Sequence, residues 1–213
     1  MVKQGIDLSR WNIVTSFDDV KASGIDFVIL RSGGNNGGFY KDPKFELYYK
    51  AAKKAGLKVG AYYDTGADFI ASAVGFNCAN HMVQHLTDKQ FEMPIFADIE
   101  TVATVHKAGA TDAAIAFCNK LEECGYFAGI YASDISGFKD RLILDKLQGR
   151  YCLWVARYGK APEYVKEYAI WQKSSKGDIK GIKGNVDLDE CSINFSSIIK
   201  KKHLNNFWGE LCK

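Results

Sequence analysis

No run of apolar residues in this chain approaches the ~18 that a membrane-spanning helix needs, so no membrane span is expected. The six cysteines (Cys78, Cys118, Cys124, Cys152, Cys191 and Cys212) include no C-x-x-C pair, which removes the common zinc and dithiol motifs. A 213-residue chain can bury a full core without disulfides, so reduced thiols are expected. Histidine is scarce, with four copies. His81 and His85 share a helix face by spacing, but Met82, Val83 and Gln84 between them supply no glutamate of the H-E-x-x-H kind. No serine stands in a nucleophile-elbow context either. No metal and no cofactor is expected. An excess of one charge is missing too: 28 Lys and Arg against 25 Asp and Glu leave +3, too mild for nucleic-acid binding. No repeat or low-complexity linker interrupts the chain, so a single domain is expected, as a monomer or weak oligomer. Too little precedes the first strand to make an export signal.

What is present centres on Pro94-Ile95-Phe96-Ala97-Asp98-Ile99-Glu100. An apolar run this short, bounded by Pro94 and the threonine-rich Thr101 to Thr104, reads as a buried strand. Side chains alternate along a strand, so Asp98 and Glu100 point the same way, with Cα atoms about 6.6 Å apart. Like charge and desolvation both resist ionisation of such a pair. Two readings fit. One is a site in which one acid stays protonated and the other charged; the other is a solvated strand end whose carboxylates have Arg or Lys partners.

Further strands are read at Lys3 to Leu8, Asp26 to Arg31, Leu57 to Tyr63, Phe127 to Tyr131, Cys152 to Ala156, Tyr168 to Gln172 and Asn185 to Leu188. Helices are read from Ser16 to Ala22, Pro43 to Ala55, Ala67 to Leu86 and Thr111 to Cys124, with a weaker one from Ile135 to Leu147. Ser32 to Gly38, with four glycines, lacks the spacing of phosphate-binding loops and reads as a flexible loop at a site mouth. Regular strand–helix alternation implies parallel βα units, and about eight strands imply closure. The expected fold class is therefore α/β, a TIM-like barrel with reduced helices: about five βα units and then three bare strands. Residues 1–195 would form the barrel, and 196–213 a helical tail packed on it.

In such barrels the site lies where the strands end. Collecting those ends gives Asp7, Arg31, Tyr62 or Tyr63, Asp98, Glu100, Tyr131, Trp154, Arg157, Trp171, Gln172 and Asp187. Acids bind sugar hydroxyls, aromatics cover sugar faces, and a carboxylate pair can cleave a glycosidic bond. Each has a plainer reading: Trp154 and Trp171 as core, Tyr131 as a satisfied interior tyrosine, Arg31 as a neutralising charge. In Asp187-Leu188-Asp189-Glu190 at least one carboxylate is expected to be merely solvated.

Ordered fragments carry a resemblance. They are Gly5-Ile6-Asp7-Leu8-Ser9-Arg10-Trp11-Asn12, Phe27-Val28-Ile29-Leu30-Arg31-Ser32-Gly33, Val59-Gly60-Ala61-Tyr62 and Ile95 to Glu100. Later come Gly129-Ile130-Tyr131-Ala132-Ser133, Leu153 to Tyr158, Trp171-Gln172 and Gly184-Asn185-Val186-Asp187-Leu188. Together they resemble glycoside hydrolase family 25, the bacterial and phage muramidases (lysozymes). The resemblance implies a (β/α)5β3 barrel and hydrolysis of the β-1,4 bond between N-acetylmuramic acid and N-acetylglucosamine, with peptidoglycan glycan strands as the partner. By position it implies Glu100 as general acid and Asp98 as the group supporting charge in the transition state. Asp7 and Asp187 become flanking acids of the groove and Tyr62 a hydroxyl donor; Arg31, Tyr131, Trp154 and Trp171 are expected as further substrate contacts from their places at the strand ends. Asp64 departs from the family, which often has an aromatic there, and adds a fifth acid near the mouth. The ~6.6 Å strand spacing falls between the separations of retaining and inverting enzymes, leaving the stereochemistry open. A non-catalytic sugar-binding barrel and a glycosidase of chitin-like polymers stand as rivals. The missing export signal would suit a phage endolysin released through a separate pore protein, or a catalytic domain cut from a secreted enzyme.

Overall fold

A computed structural model of the chain describes residues 2–207. In order, the elements are β1 (Lys3–Leu8), β2 (Ile13–Val14), α1 (Phe17–Ala22), β3 (Phe27–Asn35), β4 (Phe39–Lys41), α2 (Phe45–Lys54), β5 (Lys58–Asp64) and α3 (Ser72–Leu86). Then follow β6 (Ile95–Asp98), α4 (Lys107–Glu123), β7 (Ala128–Ser133), β8 (Cys152–Ala156), β9 (Ile170–Gly177), β10 (Ile182–Lys183), β11 (Val186–Cys191) and α5 (Phe195–Lys201). Eight strands close a barrel in the order β1-β3-β5-β6-β7-β8-β9-β11. Neighbours are parallel except β11, which runs antiparallel to both β9 and β1 and completes the ring. The expected barrel with a helix-poor end is the observed one.

Strand alternation divides the core in two. Ile6, Val28, Leu30, Val59, Ala61, Tyr63, Ala97, Ile130 and Val155 point outward against helix residues such as Val20, Phe45, Met82, Phe117 and Leu121. Phe27, Ile29, Tyr62, Phe96, Tyr131, Trp154 and Ile170 point inward. Burial on both faces explains why these strands read as continuous apolar runs.

Three of the departures from the expected element boundaries have a clear physical reason. The Ser32–Gly38 stretch is half strand: β3 continues to Asn35 and turns through Gly37 and Gly38 (φ 75° and 123°) into β4. Its glycines are steric, since a Cβ on Gly33 would lie 2.2 Å from the Tyr40 carbonyl oxygen and one on Gly34 2.6 Å from that of Asp64. It is a hairpin, not a flexible loop. The weak helix expected over Ile135–Leu147 is instead a π turn (Asp134–Lys139) and a 3-10 turn (Leu144–Lys146). Buried Asp134 orders this region by accepting from the backbone N–H groups of Glu163, Tyr164 and Val165 and from Arg157. The helix expected from Ala67 begins at Ser72, because Thr65 donates from both N–H and hydroxyl to the Asp98 carbonyl and holds that segment against the barrel rim.

The tail closes the barrel's lower end. Phe195 and Ile199 of α5 join the inward cluster, with Phe195 edge-on to Phe127 at 5.5 Å. Asn205 is fully buried at positive φ, a conformation asparagine tolerates. Its amide donates to the Phe91 and Met93 carbonyls and its oxygen accepts from Phe127 N–H. Residues 208–213, part of the stretch expected to be helical, and Cys212 lie outside the described residues. Cys78, Cys118, Cys124, Cys152 and Cys191 are free thiols.

Candidate active site

At the upper mouth a cleft of about 160 Å³ is lined by Asp7, Tyr62, Asp98, Glu100, Tyr131, Trp154, Tyr158, Gln172 and Asp187. The strand ends bring these together. Asp7 of β1 lies directly opposite Asp187 of β11 in the antiparallel ladder. Asp98 is the last residue of β6, in register with Asp64 on one side and Tyr131 on the other. Glu100 stands just beyond the pairing and is exposed, whereas Asp98 is 9% exposed. The difference matters chemically: Glu100 meets solvent at the rim and Asp98 sits below it.

A hydrogen-bonded chain runs across the floor. Gln172 Nε2 donates to Asp7 Oδ2 at 2.7 Å, and Gln172 Oε1 accepts from the hydroxyls of Tyr131 (2.9 Å) and Tyr158 (3.2 Å). Tyr131 also lies 3.4 Å from Glu100 Oε1. Its single proton serves one acceptor at a time, so a protonated Glu100 can donate to the phenol while the phenol donates to Gln172. Trp154 packs against Tyr131 and Tyr62 with ring centroids 4.4 and 6.1 Å away, and its indole N–H donates to Asp189 at 2.8 Å.

Burial pushes every acid of the group upward. Asp98 is raised well above the ordinary carboxylate value by desolvation and then by the Glu100 charge. Glu100 is raised by desolvation, with the Tyr131 contact opposing and the charges of Asp64 and Asp187 adding. Asp7 is raised by burial and by Asp189 and Asp187; Asp187 is raised by burial. Asp98 and Glu100 are thus both pushed toward holding a proton, Asp98 from the deeper position. One oxygen of Asp98 is buried without a hydrogen-bond partner, which is costly for a charged carboxylate.

Seven of the nine expected site residues thus meet in one cleft. Trp154 does so as a floor, since its ring is 1% exposed. Two stand elsewhere. Trp171 faces away because its neighbour Gln172 takes the inward position, and its indole donates to the Arg157 carbonyl. Arg31 points inward but lies in an adjoining cleft, paired with Asp42 at 3.0 Å and Asp64 at 3.6 Å. Arg157 is bound to Asp134 outside the site. Sequence reasoning collected Gln172 among the strand ends without giving it a role, and passed over Tyr158 and Asp189 as site members. Alternation would have found Asp189, two residues from Asp187 and fully buried, with its pKa pushed up to about 8 chiefly by burial. Among the described residues no three His, Cys, Asp or Glu side chains form a group that could hold a metal ion.

The model of the glycosyl hydrolases family 25 matches residues 6–182. The chain belongs to that family. The autolytic lysozyme of Clostridium acetobutylicum is 27% identical over 190 residues, covering 89% of this chain and 56% of that protein. This family 25 chain thus spans little more than half the length of that relative. Among solved structures, the CTP1L endolysin superposes with a TM-score of 0.80 at 26% identity, over 93% of this chain and 70% of that one. The catalytic domain of endolysin ply40, from bacteriophage P40 of Listeria monocytogenes, gives 0.75 at 25% identity, over 94% and 98% of the two chains.

Proposed function

We propose that this family 25 chain is a lysozyme, hydrolysing the β-1,4 bond between N-acetylmuramic acid and N-acetylglucosamine in peptidoglycan. The observation that carries the reading is the meeting of Asp7, Asp98, Glu100 and Asp187 in one cleft, with Glu100 at the rim above a buried Asp98. The lysozyme and endolysin names of its relatives support it.

Glu100 is the general acid. A sugar filling the cleft removes the water now reaching this exposed carboxyl, which raises its pKa further and keeps its proton for the leaving oxygen. Asp98 acts as the carboxylate, supporting either the positive charge that develops on the sugar or the reacting acetamido group of the substrate. Asp7 and Asp187 bind hydroxyls, with Gln172 fixing Asp7. Tyr62 adds a phenol to the wall, and Tyr131 holds Glu100. All these groups come from one chain, so the reading needs no second subunit. The cell wall is the place of action, and release through a separate pore protein fits the endolysin relatives. No helix among the described residues is long and apolar enough to cross a membrane.

Reducing-end analysis of purified peptidoglycan digested by the protein tests the assignment. New N-acetylmuramic acid reducing ends are expected. Chitin cleaved in preference, or no new ends at all, would favour the chitinase-like or the non-catalytic sugar-binding reading instead.

A further inference from the structure

Asp64 takes no step in the proposed mechanism, yet it stands one strand from the acid pair. It ends β5, where Tyr62 points into the barrel and Tyr63 out of it, so alternation turns Asp64 inward. The β5–β6 ladder sets it directly beside Asp98. Its carboxylate is fixed from the far side. Tyr40 donates its hydroxyl to Asp64 Oδ2 at 2.7 Å, and Arg31 Nη1 stands 3.6 Å from the same oxygen. Arg31 does not cancel the Asp64 charge, because Asp42 binds that guanidinium more closely, accepting from Nε at 3.0 Å. Arg10 lies over the Trp11 and Tyr40 rings and is exposed, so solvent screens it.

The groups facing the acid pair come from every side of the mouth. Asp98 meets Arg31 from β3, Asp7 from β1 and Tyr62 from β5, besides Asp64 and Glu100. Glu100 meets Tyr131 from β7, Asp187 from β11, Tyr158 just past β8, and Arg141. The two cations are engaged elsewhere: Arg31 by Asp42, and Arg141 by the Val102 and Ser136 carbonyls. Asp64 therefore adds a negative charge that its surroundings leave largely in force. The pair works with Glu100 protonated and Asp98 ionised, so activity rises through one limb and falls through another, and both limbs belong to the pair. A fixed negative charge beside them favours the protonated form of each and moves both limbs to higher pH.

We propose that Asp64 is a positioning residue for the acid pair, whose fixed charge holds the pH window of hydrolysis higher than Asp98 and Glu100 would set it by themselves. The assignment rests on the glycan-hydrolase reading and adds the working pH to it. The test is the pH profile of kcat/KM on purified peptidoglycan for wild type, Asp64→Asn, Asp64→Ser and Asp64→Glu. Asn keeps the shape and an oxygen for Tyr40, so the fold is retained; Ser removes the same charge with a smaller side chain. Both are expected to move both limbs to lower pH by about 0.5–1 pH unit. Asp64→Glu keeps the charge and should leave the limbs near their wild-type positions. A role confined to bracing Tyr40 and Arg31 would lower kcat or raise KM at every pH with the limbs in place, which would overturn the proposal. Limbs that followed the shape of the side chain rather than its charge would overturn it too. Carboxyl-carbon NMR of glutamate-labelled protein reads the same effect without turnover, with Glu100 assigned from the signal lost in Glu100→Gln. The Glu100 step should fall at lower pH in Asp64→Asn than in wild type. If the wild-type protein released no reducing ends while that step moved, the hydrolase reading would fall and the influence of Asp64 on the pair would stand. If peptidoglycan were cleaved while neither the limbs nor the step moved, the Asp64 assignment alone would fall.

Discussion

The two ends of the barrel are built from the same strands and have opposite chemistry. The lower end holds Phe27, Phe96, Ile170, Phe195 and Ile199 in apolar contact under α5. The upper end gathers Asp7, Asp98, Glu100 and Asp187 in one cleft, with Asp189 buried nearby, and leaves unpartnered oxygens on Asp98 and Asp189. A larger cleft of about 1010 Å³ lies at the lower end beside Phe127, Tyr151, Phe195 and Ile198, rimmed by Lys166, Lys202, Arg150, Glu122 and Glu167. Charges of both signs are spread around that rim, and no acids converge there. Volume therefore does not mark the site; convergence of like-charged groups at an energetic cost does. One end supplies stability and the other spends part of it on chemistry.

Four substitutions sharpen this division. The largest effect is expected for Glu100→Gln, which should cost about 10³-fold in peptidoglycan turnover with a thermal midpoint unchanged or raised. A midpoint that fell along with activity would blur the two ends. Next, Phe195→Ala should remove about 3–5 kcal/mol of unfolding free energy in chemical denaturation, while activity per folded molecule stays near wild type. Third, Asp189 keeps its proton in the folded state up to about pH 8, whereas the unfolded chain releases it near its ordinary 3.8. The folded state thus binds the extra proton between those values, and wild-type stability falls as pH rises through the window. Asp189→Asn retains an oxygen for Trp154 and should be increasingly more stable than wild type from about pH 4 to pH 8 in thermal melts. A constant difference across that range would remove the buried-proton account. Smallest, Tyr158→Phe deletes one of two phenol donors to Gln172 and should reduce kcat/KM only a few-fold, the scale of one neutral hydrogen bond.

The barrel was legible because its strands are buried on both faces and appear as short apolar runs separated by helical patterns. Asp7, Asp98, Glu100 and Asp187 were legible as strand ends. What escaped depended on facing. Trp171 and Gln172 are neighbours in sequence, and only the pairing of β9 with β8 and β11 decides which one enters the barrel. Asp189 was hidden within an acidic run that also contains Glu190, which is outward and paired with Lys173. The hairpin of Ser32 to Gly38 was hidden because glycines required for close approach look like glycines required for flexibility. Arg31 was legible as a strand end, but its partners Asp42 and Asp64, which place it in the neighbouring cleft, come from later in the chain.

Asp7 and Asp187 stand across from each other in the β1–β11 ladder, though 180 positions separate them in the chain. No nascent polypeptide shorter than that span can assemble the acidic trough, whatever fraction of its helices has already formed. The full set of four acids therefore comes together only once β11 has paired with both β1 and β9.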